Sequence, residues 1–133
     1  MALTTTISRK ELERQAAAAF EGQTYTVFLA TNTGSLTVES TAAAWLAAKV
    51  SGGGYADVTG TIAAGSYSTG NGRYELPVIN AVFTATGLGF NYDTVCVRIG
   101  TATYLHSILV ESPNIAMAPG QSKTYSITLA VDD

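Results

Sequence analysis

In the segment Arg73–Thr86, Ile79, Ala81, Phe83 and Ala85 fall on one face of an extended chain, and Val78 and Val82 fall on the other. Successive side chains of a strand point to opposite faces. Apolar residues on both faces therefore predict a strand covered on both sides, with most of the chain arranged to pair with it. Before Pro77 the phase differs: Tyr74 and Leu76 take the even positions, with Arg73 and Glu75 between them. Proline cannot donate to a ladder, so a phase change at this point predicts a bulge or a break. Asn71-Gly72 just upstream is a tight-turn signal, since both residues tolerate positive φ. The expectation is a long, bent strand entered from a turn, shared between two sheets or central in one.

A different period opens the chain. Ser8 is followed three residues later by Glu11, the spacing of a capping box, and Ile7 and Leu12 stand at the positions of a hydrophobic staple. A helix is predicted over Arg9–Phe20, ended by Gly22. Its apolar stripe is thin: Leu12, Ala16, Ala19 and Phe20. Such a stripe packs on the body of the domain, the preferred reading, or on a neighbouring subunit.

Alternation then predicts strands at Thr24–Ala30, Leu36–Val38, Tyr55–Ile62, Thr94–Ile99, Tyr104–Glu111 and Thr124–Val131. Asn32-Thr33-Gly34 reads as a turn. A second helix, Ala42–Val50, capped by Ser40 or Thr41, carries Trp45 as a core residue and stops at Gly52-Gly53-Gly54. Ala63–Gly72 reads as a loop, Gly87–Asn91 and Gly100-Thr101 as turns. Pro119-Gly120 fits the centre of a type II turn. The sum is a mainly β chain: an antiparallel β-sandwich of about seven strands with an N-terminal α-helix and a second short helix. Residues 1–22 form an arm and helix, and residues 23–133 the sandwich.

Composition narrows the function classes. Only 13% of the 133 residues are charged, about half the usual quarter. So few charges fit a protein that buries part of its exterior against partners. The seven Lys and Arg are scattered and the net charge is −3, which argues against nucleic acid as a ligand. Cys96 is the single cysteine, so no internal disulfide framework exists. No signal-peptide pattern and no apolar run of about 20 residues is present, so no membrane insertion is expected and synthesis is placed in the cytoplasm.

Chemistry is sparse. His106 is the lone histidine and lies in strand phase with Tyr104 and Ile108, so it reads as a packed or interface side chain rather than a general base. Zinc needs three or four soft or acidic ligands in a cluster, and none is spaced for it. Asp57, Asp93, Asp132 and Asp133 lack calcium-loop spacing and read as solvated carboxylates. Gly52-Gly53-Gly54 lacks the Lys-Ser/Thr of a phosphate loop. No enzymatic activity, metal or cofactor is expected. Tyrosines remain: Tyr55, Tyr67, Tyr74, Tyr92 and Tyr104 lie near strand ends or in loops, where rings anchor interfaces or stack on sugars.

Gly54-Tyr55-Ala56-Asp57-Val58, Arg73-Tyr74-Glu75-Leu76-Pro77 and Ala118-Pro119-Gly120-Gln121 with Tyr125-Ser126-Ile127 resemble stretches of small virion structural proteins of tailed bacteriophages, cyanophages included. The likeness spans Tyr55 to Asp133. It implies a tail-associated virion component (fibre, baseplate or tail), made in the bacterial host cytoplasm, whose partners are copies of itself and other virion proteins. Residues weighed for the interface are Leu12, Ala16, Phe20, Tyr67, Tyr92 and Tyr104. The arm before Ser8 would dock on a neighbour, by adding a strand to an exposed edge. Two alternatives stand beside it: a capsid decoration (cement) protein, and a carbohydrate-binding module meeting host surface glycan through Tyr67, Tyr92 or Tyr104.

Overall fold

Val27, Phe28, Leu29 and Ala30 are all buried, as are Thr94, Val95, Cys96 and Val97. Consecutive burial means cover on both faces of a strand, and these two runs pair directly in antiparallel register, Val27 with Val97 and Leu29 with Val95. They mark the true centre of the fold. The computed structural model describes residues 8–31 and 36–132. In order, the elements are α1 (Arg9–Phe20), β1 (Thr24–Ala30), α2 (Ala42–Ala47), β2 (Val58–Thr61), β3 (Ser66–Ser68), β4 (Arg73–Glu75), β5 (Ile79–Thr84), β6 (Phe90–Ile99), β7 (Ser107–Met117), β8 (Ser122–Ile127) and β9 (Ala130–Asp132).

The protein is mainly β, and every ladder among the described residues is antiparallel. A four-stranded sheet runs β2-β1-β6-β7. Against it lie a three-stranded sheet, β3-β4-β9, and a two-stranded one, β5-β8. The main core fills the space between: Val27, Leu29, Val95 and Val97 from the first layer meet Tyr74, Leu76, Ile79, Ala81, Phe83 and Leu129 from the second.

Arg73–Thr86 does bend at Pro77 and does belong to two sheets, as β4 and β5. It pairs along most of its length with Ser122–Asp132, which breaks at the matching point into β8 and β9 and is not the single strand its alternation predicts. Glu75 faces Ala130 and Ile79 faces Ile127, so the three residues Leu76–Val78 lie opposite the two residues Thr128–Leu129. That excess of one residue is a bulge, held by Leu76 N–H donating to the Leu129 carbonyl at 2.9 Å. The expectation of cover on both faces is overturned: Val78 and Val82 are exposed. The rest of the chain is organised around β1 and β6 rather than around this segment.

Helix α1 begins and ends where its caps predict. Ser8 Oγ accepts from Glu11 N–H at 3.1 Å. The Glu11 carboxylate turns to Arg14 Nε at 2.9 Å, so the box is half formed. Leu12 and Ala16 enter the main core and α1 lies against β3, β4 and β9, so the helix is a wall of the sandwich rather than an appendage. Ile7 and the arm before it lie outside the described residues, as does the Asn32-Thr33-Gly34 turn.

On the opposite face of the central strands, Phe28, Ala30 and Cys96 meet Ala42, Trp45 and Leu105 in a second core. Trp45 is core, as predicted, and its Nε1–H donates to the Thr37 carbonyl at 3.0 Å. Helix α2 stops at Ala47, short of Val50, because the next residues bond to β1 instead: Thr31 N–H to the Ala48 carbonyl and Val50 N–H to the Leu29 carbonyl, both 2.9 Å. Leu36–Val38 forms no strand. Thr37 and Ser40 close a local turn there, Ser40 N–H to the Thr37 carbonyl at 2.9 Å. The Ala63–Gly72 stretch, expected as loop, contains β3. Strand β7 starts three residues later than predicted and runs on through Pro113, which an edge strand tolerates.

Candidate interaction surfaces

Strand β7 is an edge of the four-stranded sheet and, among the described residues, pairs with β6 alone. Its register, Val95 with Leu109 and Cys96 with Ile108, puts Leu109 on the face that carries the main core. Yet Leu109 is 51% exposed. The reason is the width of the opposing layer. At this level the second layer has two strands, with β5 lying against β2 and β8 as its edge among the described residues, so no strand described there lies over Leu109, and only the Tyr125 side chain reaches β7, at Glu111. Tyr125 and Ile127 of β8 are half-buried for the same reason. Between the two free edges lies a cavity of about 200 Å³ bordered by Val95, Val97, Leu109, Tyr125 and Ile127. On the other face of β7, Val110 is 61% exposed.

A polar chain closes one end of this opening. Tyr125 Oη–H donates to Glu111 Oε1 at 2.9 Å, and the two hydroxyls of Tyr92 and Tyr125 are 2.6 Å apart. A phenol has one proton, so Tyr92 donates to Tyr125. Burial pushes the Tyr125 phenol far above its ordinary range, the Tyr92 hydroxyl and Glu111 adding to it. Burial raises Tyr92 as well.

The six residues weighed for an interface separate cleanly. Leu12, Ala16 and Tyr92 are spent inside the domain and offer no surface. Tyr67, on β3, is half-buried with the Arg9 guanidinium 4.5 Å over its ring. Phe20 and Tyr104 come together: they line one cleft of about 530 Å³ between the end of α1 and the β6–β7 connection, with Gln23, Thr101, Thr103 and His106. The Phe20 and His106 rings meet edge to face at 5.6 Å. That partial burial holds the imidazole below its ordinary range.

The other residues with chemical potential are structural. Tyr55 Oη accepts from Leu29 N–H at 2.8 Å and donates to Asp57 Oδ1 at 2.7 Å, while Lys49 Nζ takes Oδ2 at 3.0 Å. Tyr74 and Gly65 N–H both donate to Glu21, and the Tyr74 phenol is pushed up to about 12 by that carboxylate. Burial pushes the Cys96 thiol up to about 12. Among the described residues no group of His, Cys, Asp and Glu is placed to hold a metal ion, and no helix is long and apolar enough to cross a membrane.

Sequence reasoning missed Leu109 and Val110. Their signal was present, since Tyr104–Glu111 has apolar residues in both phases. Comparison with protein-family models, with curated proteins and with solved structures finds no match to this chain.

Proposed function

We propose that this chain is a structural, tail-associated component of a tailed-phage virion, working as an oligomer through its surfaces and without turnover. The observation that carries the reading is Leu109, which faces the core side of its sheet and is left half open on an edge strand. A natural β protein normally covers or charges such an edge. A second copy or a neighbouring virion protein laid along β7 or beside β8 supplies the missing cover, with main-chain pairing giving affinity and Leu109 and Val110 giving apolar contact. The 13% charge content supports the same reading. The likeness of Gly54–Val58, Arg73–Pro77 and Ala118–Gln121 to phage virion proteins supports its placement in a tail.

Sedimentation velocity of the purified protein, and mapping of a labelled copy in purified particles, test this. The expected results are a discrete oligomer and a label at the tail. A strict monomer absent from particles overturns the reading. A label spread over the head replaces the tail role with capsid decoration.

A further inference from the structure

The cleft between α1 and the β6–β7 connection combines aromatic rings with uncharged polar side chains. Three rings border it, those of Phe20, Tyr104 and His106, beside Gln23, Thr101 and Thr103, and no lining side chain is acidic, lysine or arginine. Several polar groups there are unspent. Tyr104 is 54% exposed, and its hydroxyl makes no hydrogen bond among the described residues. Gln23 uses its Nε2 on the Ala19 carbonyl at 3.1 Å, leaving its own carbonyl to accept. His106 meets Ser107 Oγ through Nδ1 at 3.2 Å, leaving Nε2 for a ligand.

The wall that carries Tyr104 is held from three sides. Gly100 N–H donates to the Thr24 carbonyl at 2.6 Å and Ala42 N–H to the Thr103 carbonyl at 2.7 Å. Arg98 Nε donates to the Ala102 carbonyl at 3.0 Å, and Tyr104 itself bridges to Thr41. A cleft held this way loses little freedom when a ligand enters. Its volume, about 530 Å³, lies within the usual small-molecule range of about 300–1,000 Å³.

We propose that this cleft binds a neutral saccharide, one to three sugar rings in extent, with Tyr104 and Phe20 against the C–H faces and Gln23, Thr101, Thr103 and His106 meeting hydroxyls. Each rival chemistry lacks its partner. A phosphate or uronate needs a cation and a cationic ligand needs a carboxylate; no Lys, Arg, Asp or Glu side chain lines the cleft, and Arg98 beside it spends its Nε on the Ala102 carbonyl. A purely apolar ligand would leave the unspent amide, phenol and imidazole groups desolvated and unpaired. An uncharged ring with apolar faces and a hydroxylated rim satisfies both the rings and the polar groups. The inference stands apart from the assembly reading: a monomer can bind sugar, and an assembled protein can fail to.

The test is titration calorimetry of the full chain with a panel of neutral hexose mono-, di- and trisaccharides, matched uronic-acid trisaccharides, and neutral polysaccharides. Saturable binding is expected for at least one neutral sugar, weaker by about tenfold or more for its acidic counterpart. Tyr104→Ala should weaken binding by at least about tenfold, the usual effect of removing an aromatic anchor, with an unchanged circular dichroism spectrum because the ring is half in water. Tyr67→Ala should leave binding intact. Amide shifts on titration should centre on Thr101–His106. Tighter binding to polysaccharide than to monosaccharide identifies a surface polymer as the source, and equal affinity identifies free sugar. Silence across the neutral panel at millimolar concentration, equal binding of the acidic sugar, or full affinity in Tyr104→Ala overturns the proposal.

Discussion

Val95 and Leu109 are direct partners across the β6–β7 ladder and lie on the same face of the sheet, yet Val95 is 3% exposed and Leu109 is 51% exposed. The difference is set by the opposing layer, which covers β6 and ends before β7. Replacing Leu109 with lysine should therefore cost the isolated domain little, within about 0.5 kcal/mol for a surface position. It should remove self-association, because a charge on a free edge blocks strand addition. Sedimentation velocity of wild type and Leu109→Lys, with their denaturation midpoints, checks both halves. An oligomer that survives the substitution places the contact elsewhere.

Gly89 enters β6 with φ of 76°, and a Cβ built there would meet the Met117 carbonyl oxygen at 2.1 Å. Gly87, two residues earlier, has φ of 59° and open space around its Cβ position. Both sites disfavour an L side chain, which costs about 1 kcal/mol. Only Gly89 adds a backbone clash. Gly89→Ala should destabilise by about 3 kcal/mol or more, and Gly87→Ala by about 1 kcal/mol. Urea denaturation of the two variants separates the effects, and equal losses would show that the strand start gives way without strain.

Ser8→Ala removes the acceptor for Glu11 N–H. Because α1 seals the main core with Leu12 and Ala16, loss of the cap should appear as global destabilisation of about 1 kcal/mol rather than local fraying. Ser8→Asp should restore most of it, since aspartate caps as well and favours the positive end of the helix dipole. A loss seen only by helix-specific hydrogen exchange, with no shift in the global midpoint, would show that α1 unfolds on its own.

What was legible in the sequence is what local chemistry decides. The Ser8 cap and the Gly22 stop marked the two ends of α1, and Pro119-Gly120 and Asn71-Gly72 marked their turns. The phase change at Pro77 marked the bulge. Burial of whole strands was harder to read, because cover depends on which strand lies opposite. Val78 and Val82 alternate like core residues and face solvent, while Val27–Ala30 are the buried centre. The matching break at Thr128–Leu129 was hidden because the alternation of Tyr125, Ile127, Leu129 and Val131 continues across it. Of the candidate site, Phe20 and Tyr104 were named separately. Their meeting depends on how α1 packs beside the β6–β7 connection, which no spacing along the chain encodes.

Alkaline pH should destabilise this protein through acids that stay protonated in the fold, among them Cys96, Tyr55 and Tyr125. Burial raises the Cys96 thiol to about 12, with Asp93 adding to it. Burial likewise lifts Tyr55 and Tyr125 well above their ordinary range. Each folded-state pKa lies above its unfolded value, so the unfolded chain sheds these protons first and binds fewer of them. Stability is then fully present below the unfolded values, about 8.5 for a thiol and about 10 for a phenol, and falls as pH rises through the folded ones. Melting temperature should hold level to about pH 8.5, decline gently to about pH 10 as the Cys96 contribution fades, and drop steeply beyond it. Cys96→Ala should abolish the gentle phase and remove its share of the later loss up to about pH 12, and Tyr125→Phe should blunt the steep one. A melting temperature flat to pH 11 in the wild type would mean that these groups reach water without unfolding.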